Sequence, residues 1–559
     1  MVRRIRDFMN GEIRGLHEAA YLLGAFALLS QVLALVRDRL LASSFGASMT
    51  LDVYYASFRI PDIIFVSVAS LVSVYILIPF LTEKEAESTE AVRRFISTIF
   101  SVFLGLLLGV SVVAFILAPT LLKLLFPGFT DSGLFSELVL LTRLLLLQPL
   151  FLGLSNLFGS ITQTHRRFLL YALGPVLYNL GIIFGILALY PSFGIIGLGM
   201  GVVVGAILHL FIQVPFVYAQ GYLPHLTFSP KWSEVLRVVT ISLPRTLAVS
   251  ANQVALLVLL GMASLLAVGS ISIFTLAFNL GSVPLSIIGV SYSVAAFPTL
   301  ARLFTNGDRP KFLDHIVSAA RHIIFWSFPI ATLFIVLRAQ IVRVILGAGQ
   351  FGWSETRLVA AALALFAVSL IAQNLMVLFV RGYYAAGNTR TPLVINIATA
   401  VGVVLFSVLF LLWFKADTLF RYFMESLLRV EDIAGTEVLM LPLGYSTALL
   451  LGAAALWGVF QRDFSQFWHT ISQTVFHSIG AAIVMGFAAY RLLDVFDNIF
   501  DINTFAGIFL QGLLSGLGGI MVGVVLLVFL RNEEVKEISR ALRHRFWKSA
   551  VVAPEQEAL

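Results

Sequence analysis

Apolar runs of about twenty residues follow one another from end to end of the chain, separated by short polar or Gly/Pro-containing breaks. Each is long enough to cross a hydrocarbon core of about 30 Å as a helix. The pattern predicts about fourteen such helices, near 18–44, 52–81, 94–118, 135–160, 168–190, 194–219, 235–263, 269–301, 314–337, 356–383, 391–414, 438–460, 470–493 and 505–530. The fold class expected is therefore an all-α polytopic membrane protein.

The pattern is broken most sharply between Ser30 and Asp62. Arg37, Asp38, Arg39, Asp52, Arg59 and Asp62 fall inside or at the rim of the first two predicted helices. A charged side chain at bilayer depth costs roughly 2.5–3.5 kcal/mol even on lenient scales. At about 100° per residue, Ser30, Gln31, Ala34, Arg37 and Asp38 share one side of the first helix. Arg39 turns about 160° away from Arg37 and is expected to snorkel to water. On the second helix Asp52, Tyr55, Arg59 and Asp62 share a stripe that Ser70 and Ser73 continue, with Arg59 at contact spacing from Tyr55 and Asp62. Two polar stripes on neighbouring apolar helices predict a hydrated interior.

Composition agrees with the pattern. Of 559 residues, 59% are hydrophobic and 12% charged, and the mean hydropathy is +0.95; no soluble domain needs so much apolar surface. The chain has no cysteine, which excludes disulfides, thiolate catalysis and cysteine-ligated metals. The first apolar run is too long for a signal peptide and ends in Arg-Asp-Arg instead of small residues, so it is expected to stay as the first span. The net charge of +7 gathers partly at the two ends, at Arg3, Arg4, Arg6 and Arg14 and again at Arg531, Lys536, Arg540, Arg543, Arg545 and Lys548. This charge reads as topology and not as nucleic-acid binding. With alternate loops basic (Arg93/Arg94, Arg166/Arg167, Lys231/Arg237, Arg302/Arg309/Lys311, Arg390, Arg462), both termini are expected in the cytoplasm.

The chain also repeats itself. Phe58–Pro61 matches Phe278–Pro284, Pro79 matches Pro298, Phe129 matches Phe351, and Asn179 matches Asn396, in order, at offsets of 217 to 223. Because six helices separate the copies, the repeat is parallel, as in transporters with two rocking lobes. The expected organisation is an N-lobe over 1–230, a C-lobe over 231–465, two further helices over 466–530, and a basic cytoplasmic tail over 531–559. In the two lobes, Asp52–Asp62 and Phe274–Pro284 should be equivalent and border a common cavity. Small-residue spacing in Gly197–Gly205 and Gly512–Gly523 predicts close helix packing. The stretch 414–432 reads as an amphipathic helix on the outer interface.

Enzyme motifs are missing. There is no GxxxxGK[ST] phosphate loop, and the nine histidines show no metal-ligand spacing. The expected protein is not an enzyme, holds no metal and needs no cofactor.

The run VLALVRDRLLASSFG followed by LDVYYASFRIPD closely resembles the opening of the MurJ (MviN) family of lipid II flippases, in the MOP exporter superfamily. The match rests on Arg37, Asp38, Ala42, Phe45, Gly46, Asp52, Arg59 and Pro61. The resemblance implies a flippase that moves the undecaprenyl-pyrophosphate-linked precursor of peptidoglycan across a bacterial inner membrane by alternating access. It implies a monomer that meets membrane lipids and cell-wall synthesis proteins, with coupling to Na+, H+ or the membrane potential. The last two helices would line a groove for the lipid tail. Arg37 and Arg59 would meet the pyrophosphate, because guanidinium groups bind phosphate oxygens in bidentate fashion. Asp38 and Asp52 would orient the arginines or gate closure, with Gln31, Tyr55, Asp62 and Asn279 completing the substrate-binding set.

Several positions depart from the family pattern. Gln31, Phe65 and Asn279 stand where relatives carry arginines, Ala34 where they carry glycine, and Asn252–Met262 lacks an acid that some relatives place there for sodium. Two alternatives follow. One is another MOP-type transporter, for a different lipid-linked glycan or for drugs and ions. The other is a membrane scaffold that does not transport, against which the charged stripe argues.

Overall fold

The structure, a computed structural model, describes residues 16–69, 71, 74–130, 133–465 and 467–537. The basic ends at Arg3, Arg4, Arg6 and Arg14 and at Arg540, Arg543, Arg545 and Lys548 lie outside the described residues, as do Ser70 and Ser73.

The first rod is α1 (Leu16–Phe45). The second is interrupted, running through α2 (Met49–Ser57), α3 (Arg59–Ile64), a π-helical turn (Phe65–Ala69) and α4 (Val74–Glu87). Pro61 accounts for the break after Ser57: it lacks the N–H that would bond the Ser57 carbonyl, and its ring crowds that oxygen. Then come α5 (Thr89–Leu125), α6 (Phe135–Leu145), α7 (Leu147–Thr164), α8 (Phe168–Phe184), α9 (Ile195–Phe211) and α10 (Trp232–Ala263). After a further π turn at Gly185–Leu189, α11 (Ser270–Leu285) passes through a third (Ser286–Val290) into α12 (Ser291–Thr305), followed by α13 (Arg309–Val336) and α14 (Arg338–Leu346). The chain ends with α15 (Trp353–Val368), α16 (Leu370–Ala385), α17 (Arg390–Ala416), α18 (Thr418–Leu428), α19 (Met440–Phe464), α20 (Trp468–Asp497) and α21 (Phe505–Phe529).

Among the described residues, eleven helices are long and apolar enough to cross a membrane, and α15 with α16, bent by 44°, makes a twelfth. With α1 and the interrupted second rod, the expected set of about fourteen is complete. The second rod and the rod of α11 and α12 each carry a π turn just beyond a proline. Phe65 and Ser286, where those turns begin, are 221 residues apart, inside the offset range read from the sequence.

The chain forms two compact units. The first comprises Met1–Val283, Val342–Phe366 and Asn388–Gly452; the second comprises Pro284–Ile341, Ala367–Gly387 and Ala453–Leu559. In the first unit α8 and α9 meet along glycine. A side chain at Gly181 or Gly185 would run into the backbone of Gly205 or Gly201 on the facing helix, the close packing that the small-residue spacing predicts. α18 is amphipathic as expected. Met424 and Leu428 are buried, while Leu419, Tyr422, Phe423 and Leu427 face outward, and the Asp417 side chain caps its first turn.

In the second unit, Phe379, Tyr383, Phe460, Phe464 and Phe467 form one aromatic cluster. α20 and α21 pack through Gly519 and Gly523 against Ala489 and Met485. Arg321 of α13 clasps the segment after α21, with Nε 2.8 Å from Glu534 and Nη2 3.0 Å from Glu533.

Candidate functional site

The charges near the end of α1 form a shared network. Arg37 donates from Nε and Nη2 to one oxygen of Asp38, at 2.9 and 2.8 Å. Its Nη1 reaches the Asn179 Oδ1 on α8 at 3.2 Å. Asn179 in turn donates to the Ser30 hydroxyl at 3.2 Å and to the Pro175 carbonyl. The second oxygen of Asp38 accepts from Asn279 Nδ2 on α11 at 3.0 Å. Asp38 is thus buried and satisfied on both oxygens. The Arg37 side chain stays 20% exposed, which leaves the rest of its fork for a ligand.

Asp52 does something different. It is buried and lies against the start of α11, across the chain repeat. Oδ2 accepts from the Gly269 N–H at 2.7 Å, and Oδ1 accepts from the Ser272 N–H at 2.7 Å and the Ser272 hydroxyl at 2.6 Å. A carboxylate at the positive end of a helix is favourable, and here it comes from another segment. The neighbouring loops interlock in the same place. The Gln350 N–H donates to the Ser43 carbonyl at 2.9 Å. Gly269 and Gly349, both at positive φ, sit so close to the Ala47 and Ser43 carbonyls that no side chain could be accommodated.

Arg39 belongs to this seam. Its Nη1 donates to the Val344 carbonyl at 2.6 Å and the Ile345 carbonyl at 3.1 Å, groups that the end of α14 leaves unsatisfied. The snorkelling arginine expected from the helical wheel is therefore a helix cap. Turning away from Arg37 does place it elsewhere, but on protein and not on water. Arg39→Ala is then expected to destabilise the protein by about 1–3 kcal/mol, visible as a lowered melting temperature in detergent; an unchanged melt would restore the snorkelling picture.

A third group lies on α3. Arg59 and Asp62 approach to 3.9 Å, and Gln148 Nε2 donates to Asp62 at 3.5 Å. The Tyr55 hydroxyl and Arg59 Nε are buried and find no hydrogen-bonding partner among the described residues. The predicted stripe is thus divided, with Asp52 engaging α11 while Arg59 and Asp62 engage each other. Gln31 is half-buried beside Ser30.

The family profile described as lipid II flippase MurJ matches residues 41–511. This chain belongs to the MurJ family. A probable lipid II flippase MurJ of Buchnera aphidicola subsp. Acyrthosiphon pisum is 29% identical over 381 residues, covering 66% of this chain and 74% of that one. The lipid II flippase MurJ of Burkholderia cenocepacia is 26% identical over 394 residues, covering 69% and 76%. Among solved structures, a lipid II flippase MurJ in an inward closed conformation aligns with a TM-score of 0.74 at 22% identity, over 92% of this chain and 99% of that one. An inward-facing multidrug MATE transporter of the MOP superfamily aligns at 0.62 and 16% identity, over 77% and 95%. The all-α membrane fold is therefore that of MurJ and its MOP relatives.

Within this MurJ-family chain, the structure brings Arg37, Asp38 and Asn279 together, bonds Asp52 to Gly269 and Ser272, and sets Arg59 beside Asp62. Asn179, Gln148 and Ser272 were not in the sequence-derived set. Asn179 had a signal, a lone amide in an apolar helix, but it was read only as a marker of the repeat.

Proposed function

We propose that this chain flips lipid II across the bacterial inner membrane by alternating access between two lobes, with Arg37 as the grip on the pyrophosphate. The observation that carries this reading is the Arg37 fork. It is held in place by Asp38 and Asn179, yet it remains partly open at a depth where an idle charge would be costly. A guanidinium positioned by a carboxylate and an amide is pre-organised for a bidentate bond to a phosphate oxygen pair. The sugar and pyrophosphate would enter a hydrated space while the polyprenyl tail stays in lipid. Arg59, with its unpartnered Nε, would serve as a second phosphate contact, and Tyr55, Asp62 and Gln31 would line its surroundings.

Asp52, Arg39 and the interlocked loops would form the outer gate, closed in this state. Opening it breaks the Asp52 bonds to Gly269 and Ser272. The energy would come from a monovalent cation gradient or the membrane potential, both of which act on a charged cavity. The last two helices would accommodate the tail, and the repeat-spaced π turns are suited to hinge the two lobes.

Two measurements test this reading. In a bacterium depleted of its own flippase, the chain is expected to restore growth and move lipid II outward; failure of well-expressed protein to do so would overturn it. For orientation, the cysteine-free chain allows single probes. Cysteines at Ser48 and Asp497 are expected to react with an impermeant thiol reagent in intact cells, and one at Arg390 only after lysis. Reaction at Ser48 only after lysis would reverse the topology.

A further inference from the structure

α10 carries two arginines that the reading above does not use: Arg237, near its start, pairs with Glu83 at 3.0 Å, and Arg245 lies deeper in the helix. Arg245 is the fourteenth residue of this 32-residue helix, about 20 Å along the axis from Trp232 and about 27 Å from Ala263 at 1.5 Å per residue. It is exposed and stands near the middle of a membrane-crossing helix.

Around α10 there are two exposed faces. Leu236, Leu243, Leu247 and Val254 share one and are all aliphatic. Ile241, Arg245, Val249 and Asn252 share the other, roughly 170° away at 100° per residue. Between them runs a buried strip that includes Val238, Ser242, Thr246 and Leu260. The helix cannot turn freely. The Ser242 hydroxyl donates to the Leu71 carbonyl at 2.9 Å, and the Ser250 and Ser67 hydroxyls are bonded at 3.1 Å. With its rotation fixed and its aliphatic face available to lipid, the face bearing Arg245 and Asn252 suits water.

We infer that Arg245 is a further grip for the pyrophosphate of the lipid-linked saccharide, beyond Arg37 and Arg59, placed towards the inner mouth of the hydrated path. This inference rests on the flippase reading. Arg37 lies eight residues before Phe45, about 12 Å from the seam end, so Arg245 lies about 15 Å further along the helix axes from that end. Two arginines staggered along the path would let an anionic head pass from one fork to the next, so that no single site holds it too tightly to leave. Asn252, on the same face and nearer the seam, would offer the head an uncharged hydrogen-bonding contact between them.

The test uses the full-length chain in detergent and in proteoliposomes. In the cysteine-free background, Arg245→Cys is expected to react with a charged aqueous thiol reagent at least about tenfold faster than Leu247→Cys, and added lipid II should slow that reaction. Arg245→Ala is expected to bind lipid II at least about tenfold more weakly, the size of one charge-assisted hydrogen bond. A cationic ethylammonium reagent on Arg245→Cys should recover part of that loss, which a merely misfolded variant would not allow. Equal reactivity at Arg245→Cys and Leu247→Cys, or undiminished lipid II binding by Arg245→Ala, would overturn the inference while leaving Arg37 untouched. Absence of lipid II binding by the unmodified chain would overturn both the inference and the reading beneath it.

Discussion

Replacing Arg37 with alanine is expected to abolish lipid II translocation and the ability to support growth as sole flippase. The substitution removes the fork that would meet the pyrophosphate. It also leaves the Asp38 carboxylate buried with, among the described residues, the Asn279 amide as its remaining partner. Stranding one member of a buried charge pair destabilises by roughly 3–5 kcal/mol, so loss of activity alone does not separate binding from folding. The double variant Arg37→Ala/Asp38→Asn makes the separation, because the stranded charge is gone. It should recover much of the expression and melting temperature and none of the transport. Arg37→Lys keeps the charge but loses the planar fork, and reduced transport is expected. Well-expressed Arg37→Ala that still carries the cell would sink the assignment.

The second large effect is at Asp52. Asp52→Ala leaves the Gly269 and Ser272 N–H groups and the Ser272 hydroxyl without their acceptor, all in a buried position. Hydrogen bonds to a charged group contribute about 1.5–3 kcal/mol each and do not add fully, so a loss on the order of 3 kcal/mol is expected. Because these bonds join the start of α11 to α2, the loss should fall on the closed seam more than on the fold. The expected readouts are a lower melting temperature and faster labelling of a cysteine at Ser48. Asp52→Asn keeps one acceptor oxygen but puts an NH2 where a second acceptor stood, and should lie between. If Asp52→Ala labels at Ser48 no faster than the parent, Asp52 is not the latch.

Much of the fold was legible because each membrane helix must be apolar and about twenty residues long, a constraint written locally in the chain. The close contacts of α8 with α9 and of α20 with α21 were legible for the same reason, since only small residues allow backbones to approach. The pairing of Arg37 with Asp38 was partly legible, from two adjacent charges in an apolar run. The partners were not. Asp52 finds the start of α11 some 217 residues away, and a helical wheel gives the direction of a side chain but not what it meets. Arg39 shows the same limit: its direction was right, and the carbonyl oxygens waiting there are invisible in a sequence. Arg245 was illegible for a different reason. It follows Lys231 and Arg237 in the sequence and reads as one more of that basic group, whereas the helix places it about 20 Å along α10.

In the seam proposed as the outer gate, two side chains, Asp52 and Arg39, bond across to facing groups, and glycine stands at the tightest backbone approaches. Ordering a long side chain costs up to about 2 kcal/mol of conformational entropy, whereas glycine has none to lose there. Closing this end therefore freezes few rotamers, and opening it releases few. The free-energy gap between closed and open states then depends on a small number of bonds centred on Asp52 and Arg39. Since each 1.4 kcal/mol shifts a two-state ratio about tenfold, the population balance should be unusually sensitive to single substitutions at those two positions. It should be nearly indifferent to changes on the lipid-facing helices, so variants that alter the open fraction are expected to cluster within a few residues of the seam.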